Sequence, residues 1–477
     1  MRPHRCVIAA VLFLIPLIAC PAIRHVPASY PNIQAAIDDA VDGDTIRIAD
    51  GIYSGPGNFD MQWDASSKHL VIMSANGRDQ CIVDCMGEGR AFFLGSGQDY
   101  RDVIEGLTIT GGLGSGSAGG AILIDTTSPR ILNCLFTDNT TAGDMLDYRG
   151  GGAISVNGKA HPEIRGNIIR DNYSTSGGGG VSFSNGATGV LEYNIIESNE
   201  THSDGGGIAL ENNAAPLISN NLIIHNFSRG HSGGGINTFY SNPTIVNNTI
   251  AYNSTSIEYV PGLGGGIAVY GEPTPIIRNC IIWHNVSDFF AMNIQFPHLK
   301  WMDISYSNVE NDLDHIFDLK PHTNIDSLPG FVDPENGNFQ LLWNSPCINT
   351  GTPDTTGLHI PSLDLAGNQR IFRNRVDIGA YEYNWPVSIP SIAEGACFNL
   401  YPNPSAGIMI LESRQDQLQD DLAVQICTSG GLIVYFENVN PAQTVIPIDI
   451  SKQAEGIYFL TVLSGRHVLY RQKMIKN

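Results

Sequence analysis

Two histidines and an aspartate in the middle of the chain are the residues whose types best fit catalysis. His202 and Asp204 are separated by one residue, and His231 follows in the next similar segment. Aligning the glycine blocks that follow each segment places the three within several ångströms of one another. Such a set can transfer protons as acid and base, or it can bind a metal ion. The alternative is a polar loop that precedes a glycine corner.

A second group of candidate residues offers rings to a sugar. His225, Tyr252 and His284 each precede an asparagine that recurs along the chain, and Trp283 lies beside His284. Aromatic rings with polar tips can stack on a carbohydrate at a wet surface. The alternative is a row of solvated turn residues, because the same column also contains aspartate and serine.

The recurring asparagine reveals the elements that must position these residues. It occupies Asn139, Asn172, Asn199, Asn226, Asn253 and Asn285, at intervals of 33, 27, 27, 27 and 32 residues. Isoleucine or phenylalanine stands three residues earlier, and a glycine-rich block opens each repeat. A fixed period in this range is typical of a solenoid. The short β-branched runs between glycine, asparagine and proline predict about three short parallel strands in each coil.

One further column predicts a buried asparagine ladder. Five residues before the recurring asparagine, the column reads Cys134, Asn167, Asn194, Asn221, Asn248 and Cys280. Because only small residues occur there, we expect it to face inward, with each amide bonded to the next. Cys134 and Cys280 would then lie five coils apart, roughly 24 Å, which is too far for a disulfide.

The repeats resemble the right-handed parallel β-helix of the pectin-lyase-like superfamily. The preceding segment VPASYPNIQAAIDDAVDGDTIRIADGIYSG is also similar to those proteins, in which a helix caps the solenoid before the first coil. The resemblance implies an all-β fold: a right-handed parallel β-helix over residues 23–336, with a capping helix at its N-terminal end. An open solenoid end is an unpaired edge, so a cap is physically required.

Residues 337–384 resemble the end module of bacterial surface β-helix proteins. The carrying motifs are SPCINTG and DLAGNQRIFRNRVDIGAYEY, and they imply the last coils and a cap. Three acidic residues of this module, Asp364, Asp377 and Glu382, can bind Ca²⁺. The alternative is that they form structural hydrogen bonds with Arg370 or Arg375. No other cofactor is indicated, and no zinc site is expected because no Cys-x-x-Cys pair exists.

A proline-containing linker at 385–396 separates this module from residues 397–477. The alternating strand pattern of residues 397–477 predicts a small β-sandwich. The segment YPNPSAG, with Tyr401, Pro402, Asn403, Pro404 and Gly407, and the later GIYFLTV closely resemble the C-terminal sorting domain of the type IX secretion system. That system occurs in Bacteroidetes-like bacteria. The resemblance implies export by the type IX machinery to the outer-membrane surface of a Gram-negative cell.

The first 22 residues and the overall charge fit an exported protein. Arg2 and Arg5 precede an apolar run, which is typical of a secretory signal peptide. Alternatively, Cys20 ends a lipobox-like segment and is lipidated. The formal net charge of −21 repels nucleic acid and anionic membranes. No transmembrane span is expected.

Three functions remain open at this point. The first is a surface protein that binds extracellular polysaccharide or acts in adhesion, because flat strand ladders suit elongated chains. The second is a polysaccharide lyase or glycoside hydrolase, which would need a pair of carboxylates or a cation beside a base. The third is a structural surface or stalk protein. The sequence contains no strong catalytic set, and we therefore rank binding first.

Overall fold

The computed structural model describes most of the chain. It describes residues 21–116, 118–143, 150–230, 232–256, 264–271, 274–287, 293–295, 303–311, 323–371, 375–383, 398–413, 422–428, 433–440, 443–464 and 467–477. The predicted signal peptide, apart from residues 21–22, and the predicted linker at 385–396 lie outside them. The chain divides into two compact units, Met1–Tyr383 and Asn384–Asn477. No helix among the described residues is long and apolar enough to cross a bilayer.

The first unit is a parallel β-solenoid, as the repeat predicts. Each full coil contributes one strand in turn to sheets A, B, D and C, and each strand pairs in parallel with its equivalent in the next coil. Sheet A consists of Ile23–Val26, Thr45–Ile48, Val71–Ser74, Val103–Glu105, Arg130–Leu132, Glu163–Arg165, Val190–Glu192, Leu217–Ser219, Thr244–Val246, Ile276–Arg278 and Asp303–Ser305. Sheet B consists of Gly51–Ser54, Cys81–Asp84, Thr108–Thr110, Leu135–Thr137, Ile168–Arg170, Ile195–Glu197, Leu222–Ile224, Thr249–Ala251, Ile281–Trp283 and Asn308–Val309.

The other two sheets complete each coil. Sheet D is built of short strands: Leu113–Ser115, Thr140–Ala142, Tyr173–Ser174, Glu200–Thr201, Phe227–Ser228, Ser254–Thr255 and Val286–Ser287. Sheet C consists of Phe92–Leu94, Ile122–Asp125, Ile154–Asn157, Val181–Ser184, Ile208–Glu211, Ile236–Phe239, Ile267–Tyr270 and Ile294–Gln295. The central residues of the strands in sheets A and B form buried aliphatic columns. Each buried isoleucine contributes about 1.5–3 kcal/mol of hydrophobic stabilisation.

A short helix packs against the first coils. It spans Ile33–Asp39. Its N-cap residue is Asn32, whose Oδ1 accepts a hydrogen bond from Ala35 N at 2.8 Å. Its buried face, Ile33 and Ile37 included, joins the core cluster that runs through the solenoid interior. The expected capping helix is therefore present at this end of the unit.

Two asparagine ladders run inside the solenoid, where the sequence predicted one. In the predicted ladder, Asn194 Nδ2 donates to Asn221 Oδ1 at 3.0 Å, and Asn221 repeats the bond to Asn248. The recurring asparagine, for which the sequence predicted no ladder, is also buried: Asn226 Nδ2 donates to Asn253 Oδ1 at 2.9 Å. In most coils the residue before each ladder asparagine has a positive φ, which turns the backbone so that the amide points inward. Cys134 and Cys280 at the ends of the first ladder are free thiols.

The glycine blocks let successive coils approach closely at the corner between sheets D and C. A Cβ on Gly206 would lie 2.4 Å from the carbonyl oxygen of Gly234 in the next coil. No real Cβ tolerates such a contact with backbone. The block therefore sets the spacing of the stack at this corner.

We expect Gly206→Ala to destabilise the solenoid by about 3 kcal/mol, because the coils must separate or bend to admit the methyl group. Guanidinium denaturation of the purified protein measures the change. Gly186→Ala is the matched control: Gly186 has φ +83°, but a Cβ added to it would meet no heavy atom within 4 Å. Its expected cost is about 1 kcal/mol of backbone strain alone. Equal losses in the two variants would contradict the close-approach explanation.

Residues 331–383 do not continue the stack of coils. A hairpin of Phe331–Asp333 and Asn338–Leu341, with a 3₁₀ turn at Pro334–Asn336, is followed by largely irregular chain that lies along the outer face of sheet B. The interpretation of 337–384 as last coils is corrected accordingly. The described residues within 331–383, here called the lateral module, pack against the side of the solenoid.

The second unit is a small antiparallel β-sandwich, as predicted. One sheet contains Phe398–Tyr401, Ile408–Ser413 and Val445–Asp449, and the other contains Ile433–Val439, Leu422–Thr428, Gly456–Ser464 and His467–Lys476. Side chains from both sheets, such as Leu411 and Leu460, form one fully buried core cluster. The unit therefore has its own hydrophobic core.

Candidate functional site

The lateral module covers an apolar strip on the outer face of sheet B. On the covered coils the outward positions are Ile224, Ala251 and Trp283, and they contact Phe339 or Ile378 of the module. The same outward column on earlier coils reads Thr110, Thr137, Arg170 and Glu197. This switch from polar to apolar outward residues was the signal in the sequence for the covered face.

Hydrogen bonds fix the module to the solenoid, one coil after another. Tyr193 Oη donates to the carbonyl oxygen of Leu363 at 3.0 Å, and Asn220 Nδ2 donates to the same oxygen at 3.2 Å. Two coils further on, the backbone N–H of Thr352 donates to Asn279 Oδ1 at 2.7 Å. The side chains that bind the module come from positive-φ corner residues, so the corner conformation aims them outward.

A buried arginine lies at the centre of this contact. Arg370 is fully buried, its Nη1 lies 3.5 Å from Glu382 Oε2, and its Nη2 donates to the carbonyl oxygen of Gly379. The amide of Asn247 on the solenoid, oriented with its oxygen toward the guanidinium, accepts from Arg370 Nε at 3.3 Å. A charge in this position is stable only with such partners.

The three acidic residues proposed as a Ca²⁺ site surround Arg370. Asp364 accepts from the backbone N–H of Asn368 at 2.6 Å and of Glu382 at 2.7 Å, while Asp377 accepts from Asn349 N and Tyr383 N, both at 2.6 Å. These oxygens hold the module's own chain. The arrangement fits the alternative in which the three acidic residues are structural partners of Arg370. Arg375 is not such a partner in these bonds, because it donates to the carbonyl oxygens of residues 350 and 351.

Burial changes the acidity of this cluster. Burial and the charge of Asp377 raise the pKa of Glu382 to about 9, and burial raises the pKa of Asp377 to about 6. Burial also lowers the pKa of Arg370. The pair of carboxyls therefore retains a proton at neutral pH, which limits the negative charge that one guanidinium must balance.

The predicted sugar-stacking residues form a row along the axis, but the module covers part of it. The ring centroids of His225 and Tyr252 are 5.5 Å apart, and those of Tyr252 and His284 are 5.3 Å apart. Tyr252 also packs edge-on against Phe339 of the module, and Trp283 is only 7% exposed. His225 and His284 are exposed, and His284 Nδ1 lies 3.0 Å from Glu310. The covered Trp283 presents no face to a sugar.

The predicted His-Asp-His set falls in the loops between sheets D and C. His202 is half-buried and donates its backbone N–H to the carbonyl oxygen of Ser174. Burial raises the pKa of Tyr270, and the negative charge of Asp204 raises it further. Ser232 in the next coil is hydrogen-bonded to Tyr270 Oη. His231 lies outside the described residues.

A row of polar side chains, which the sequence did not reveal, runs along the corner where sheet C strands end; Asn185 is exposed, and Asn157 and Asn212 are half-buried. Asn157 Nδ2 donates to Asp125 Oδ1 at 2.9 Å, Asn185 Nδ2 donates to Asn157 Oδ1 at 2.8 Å, and Asn212 Nδ2 donates to Asn185 Oδ1 at 3.3 Å. On the next coil the row ends at Tyr240, which is 52% exposed. We call these five residues the amide row. They occupy consecutive coils, about 4.8 Å apart.

Two family models match this chain. Residues 96–233 and 204–315 match the right handed beta helix region, and residues 399–477 match the secretion system C-terminal sorting domain. Both matches agree with the solenoid and the sandwich. The chain is a β-helix protein with a type IX sorting tail. Searches of curated proteins and of solved structures returned no match. The sorting tail identifies the β-helix protein as secreted or displayed at the cell surface.

The β-helix protein also contains a cluster that resembles a metal site, formed by His69, Asp99 and Asp102. Asp102 is fully buried, and its Oδ2 lies 2.7 Å from His69 Nδ1. Its other oxygen accepts from Trp63 Nε1 and from the backbone N–H of Leu70, both at 3.0 Å. With both oxygens bonded, Asp102 joins neighbouring segments of the first coils, which is a structural role.

Proposed function

We propose that this secreted or cell-surface protein binds a neutral extracellular polysaccharide along the amide row. The observation that carries the proposal is the regular display of side chains that suit sugars on five consecutive coils, from Asp125 to Tyr240. A linear polymer that lies along the solenoid axis would meet one polar group in every coil. Asn185 and Tyr240 of the row are exposed and its other members are half-buried, whereas the strip on sheet B is covered.

The chemistry of the row suits hydroxyl groups. Each asparagine amide carries two donors and an acceptor oxygen with two lone pairs. Within the row Asn185 gives one donor to Asn157 and accepts one bond from Asn212, so further donor and acceptor capacity remains for a ligand. The exposed ring of Tyr240 offers an apolar face to a sugar ring. With a net charge of −21, the protein repels polyanions, which favours a neutral polymer.

Export would follow from the second unit. We propose that the type IX machinery handles the sorting domain and delivers the solenoid to the outer-membrane surface of a Gram-negative, Bacteroidetes-type cell. The polysaccharide would then be one that the cell meets outside, or one in its own surface layer. Adhesion to such a polymer is the corresponding cellular role.

The enzymatic alternative has less support. A pocket of about 390 Å³ opens where the lateral module meets the coils, and Arg278, Tyr306, Thr352 and Asp354 are among its lining residues. Among the described residues that line it, only Asp354 carries a carboxylate, whereas glycosidases use two. The guanidinium of Arg278 is paired with Asp303 at 2.5 Å. A stalk function remains the alternative if no polymer binds.

We expect Tyr240→Ala to weaken binding of the recognised polysaccharide about tenfold, because a stacking face is lost. Asn212→Ala should weaken it by a smaller factor, because one amide is removed from the row. Affinity electrophoresis against a panel of neutral and anionic polysaccharides measures both changes. Ile52→Ala is the control, since Ile52 is 70% exposed and lies on a sheet B strand rather than at the corner where sheet C strands end. A uniform loss in all three variants, or preferential binding of polyanions, would contradict the proposal.

A further inference from the structure

The YPNPSAG segment of the sorting domain is bound to the strand His467–Lys476. Asn403 Nδ2 donates to the carbonyl oxygen of Lys473 at 2.6 Å, and its Oδ1 accepts the backbone N–H of Ile475 at 2.9 Å. The side-chain amide thus satisfies one donor and one acceptor on the strand edge, as a neighbouring strand would. One side chain replaces a strand neighbour at this point.

Backbone contacts extend this attachment. The N–H of Ser405 donates to the carbonyl oxygen of Ile475 at 3.0 Å, and the N–H of Asn477 donates to the carbonyl oxygen of Ser405 at 2.9 Å. Gly407 has φ +107°, and a Cβ there would lie 2.7 Å from Ser451 Cα and 2.8 Å from Lys476 Cε. Only glycine fits this crossing, which explains why the motif needs it.

The segment and the strand together expose a continuous set of side chains. Tyr401, Pro402 and Pro404 are exposed in the turn, while Lys473 and Ile475 are exposed on the strand. The bonds of Asn403 reach Lys473 and Ile475, so they place the two groups side by side. The resulting surface combines apolar rings and an aliphatic side chain with one cation.

We propose that this composite surface, rather than either segment alone, is what the export machinery recognises, with Asn403 as the residue that positions it. The inference rests on the proposed export by the type IX system. The surface fits a partner with an apolar groove flanked by acidic side chains, since Lys473 supplies a positive charge at its edge. Asn403 acts through the strand that it holds, and Tyr401, Ile475 and Lys473 make the contact.

The test uses the full chain expressed in a bacterium that has the type IX system, with export measured as the fraction of protein outside the cell. We expect Asn403→Ala to lower this fraction about tenfold and to speed hydrogen exchange in 467–477. Lys473→Glu should lower export by a similar factor while exchange in that strand stays unchanged, because Lys473 is exposed. A merely structural role for the strand would not produce this second result.

Two controls separate the possible failures. Ile426→Val removes one buried methylene group from the sandwich core, on a strand that pairs with neither the YPNPSAG segment nor His467–Lys476, and should leave export intact. Deletion of 398–477 should abolish export; normal export of the deleted chain would overturn the sorting function itself. If deletion abolishes export while Asn403→Ala or Lys473→Glu is exported normally, the composite surface is not the recognition element.

Discussion

Asn221→Ala should be among the most destabilising single changes in the solenoid, with an expected loss of about 4 kcal/mol in the free energy of unfolding. The Asn221 side chain donates to Leu191 O at 2.8 Å and to Asn248 Oδ1 at 3.0 Å. Its Oδ1 accepts from both the backbone N–H and Nδ2 of Asn194. Alanine leaves these groups buried without partners, where water cannot replace the lost bonds.

Guanidinium denaturation of the purified chain measures this loss. Asn185→Ala is the matched control, because it removes the same amide from the amide row, where water replaces the lost bonds. Its expected cost is about 1 kcal/mol, because alanine tolerates the φ of +56° at residue 185 less well than asparagine does. Similar losses for the two variants would mean that burial of the ladder contributes little.

The solenoid could be predicted from the sequence because its contacts repeat. Once Asn194 and Asn221 are aligned, every column of the coil is specified at the same time, and the strand, the corner and the core follow. The second ladder was missed because the asparagine at Asn226 and Asn253 precedes hydroxyl residues, which also suits an exposed turn. The signal that distinguishes the two was present: that column contains asparagine alone, as a buried, fully bonded position requires.

The covering of sheet B could not be predicted in the same way. Leu363 binds Tyr193 across 170 residues of sequence, and the lateral module has no period that would reveal the pairing. The apolar outward residues Ile224 and Trp283 indicate that something covers this face, but not which segment does so. The amide row was missed for a related reason, since corner residues vary in type and only the structure aligns them.

We expect Arg370→Leu to release the lateral module from the solenoid, at a cost of about 3–5 kcal/mol, because three buried carboxyls lose their cation. Hydrogen exchange in 338–371 and 375–383, measured on the full chain, should rise while exchange in the coils before residue 170 stays unchanged. The double variant Arg370→Leu/Glu382→Leu should recover part of the loss, since it also removes the carboxyl that lies 3.5 Å from the missing guanidinium. A double variant with the summed loss of both single variants would show that the pair is not coupled.

The same cluster predicts how module docking depends on pH. The raised pKa values of Glu382 and Asp377 mean that the folded protein holds protons that the unfolded chain releases. The stability contributed by these carboxyls is therefore fully present below about pH 4, and it is lost as the pH rises through about 6 and then about 9. Glu382→Gln keeps the shape of the side chain without its titration. The protection of the module's amides from hydrogen exchange, relative to the unfolded chain at the same pH, should therefore vary less with pH in this variant. A pH profile that Glu382→Gln leaves unchanged would place the titrating group elsewhere.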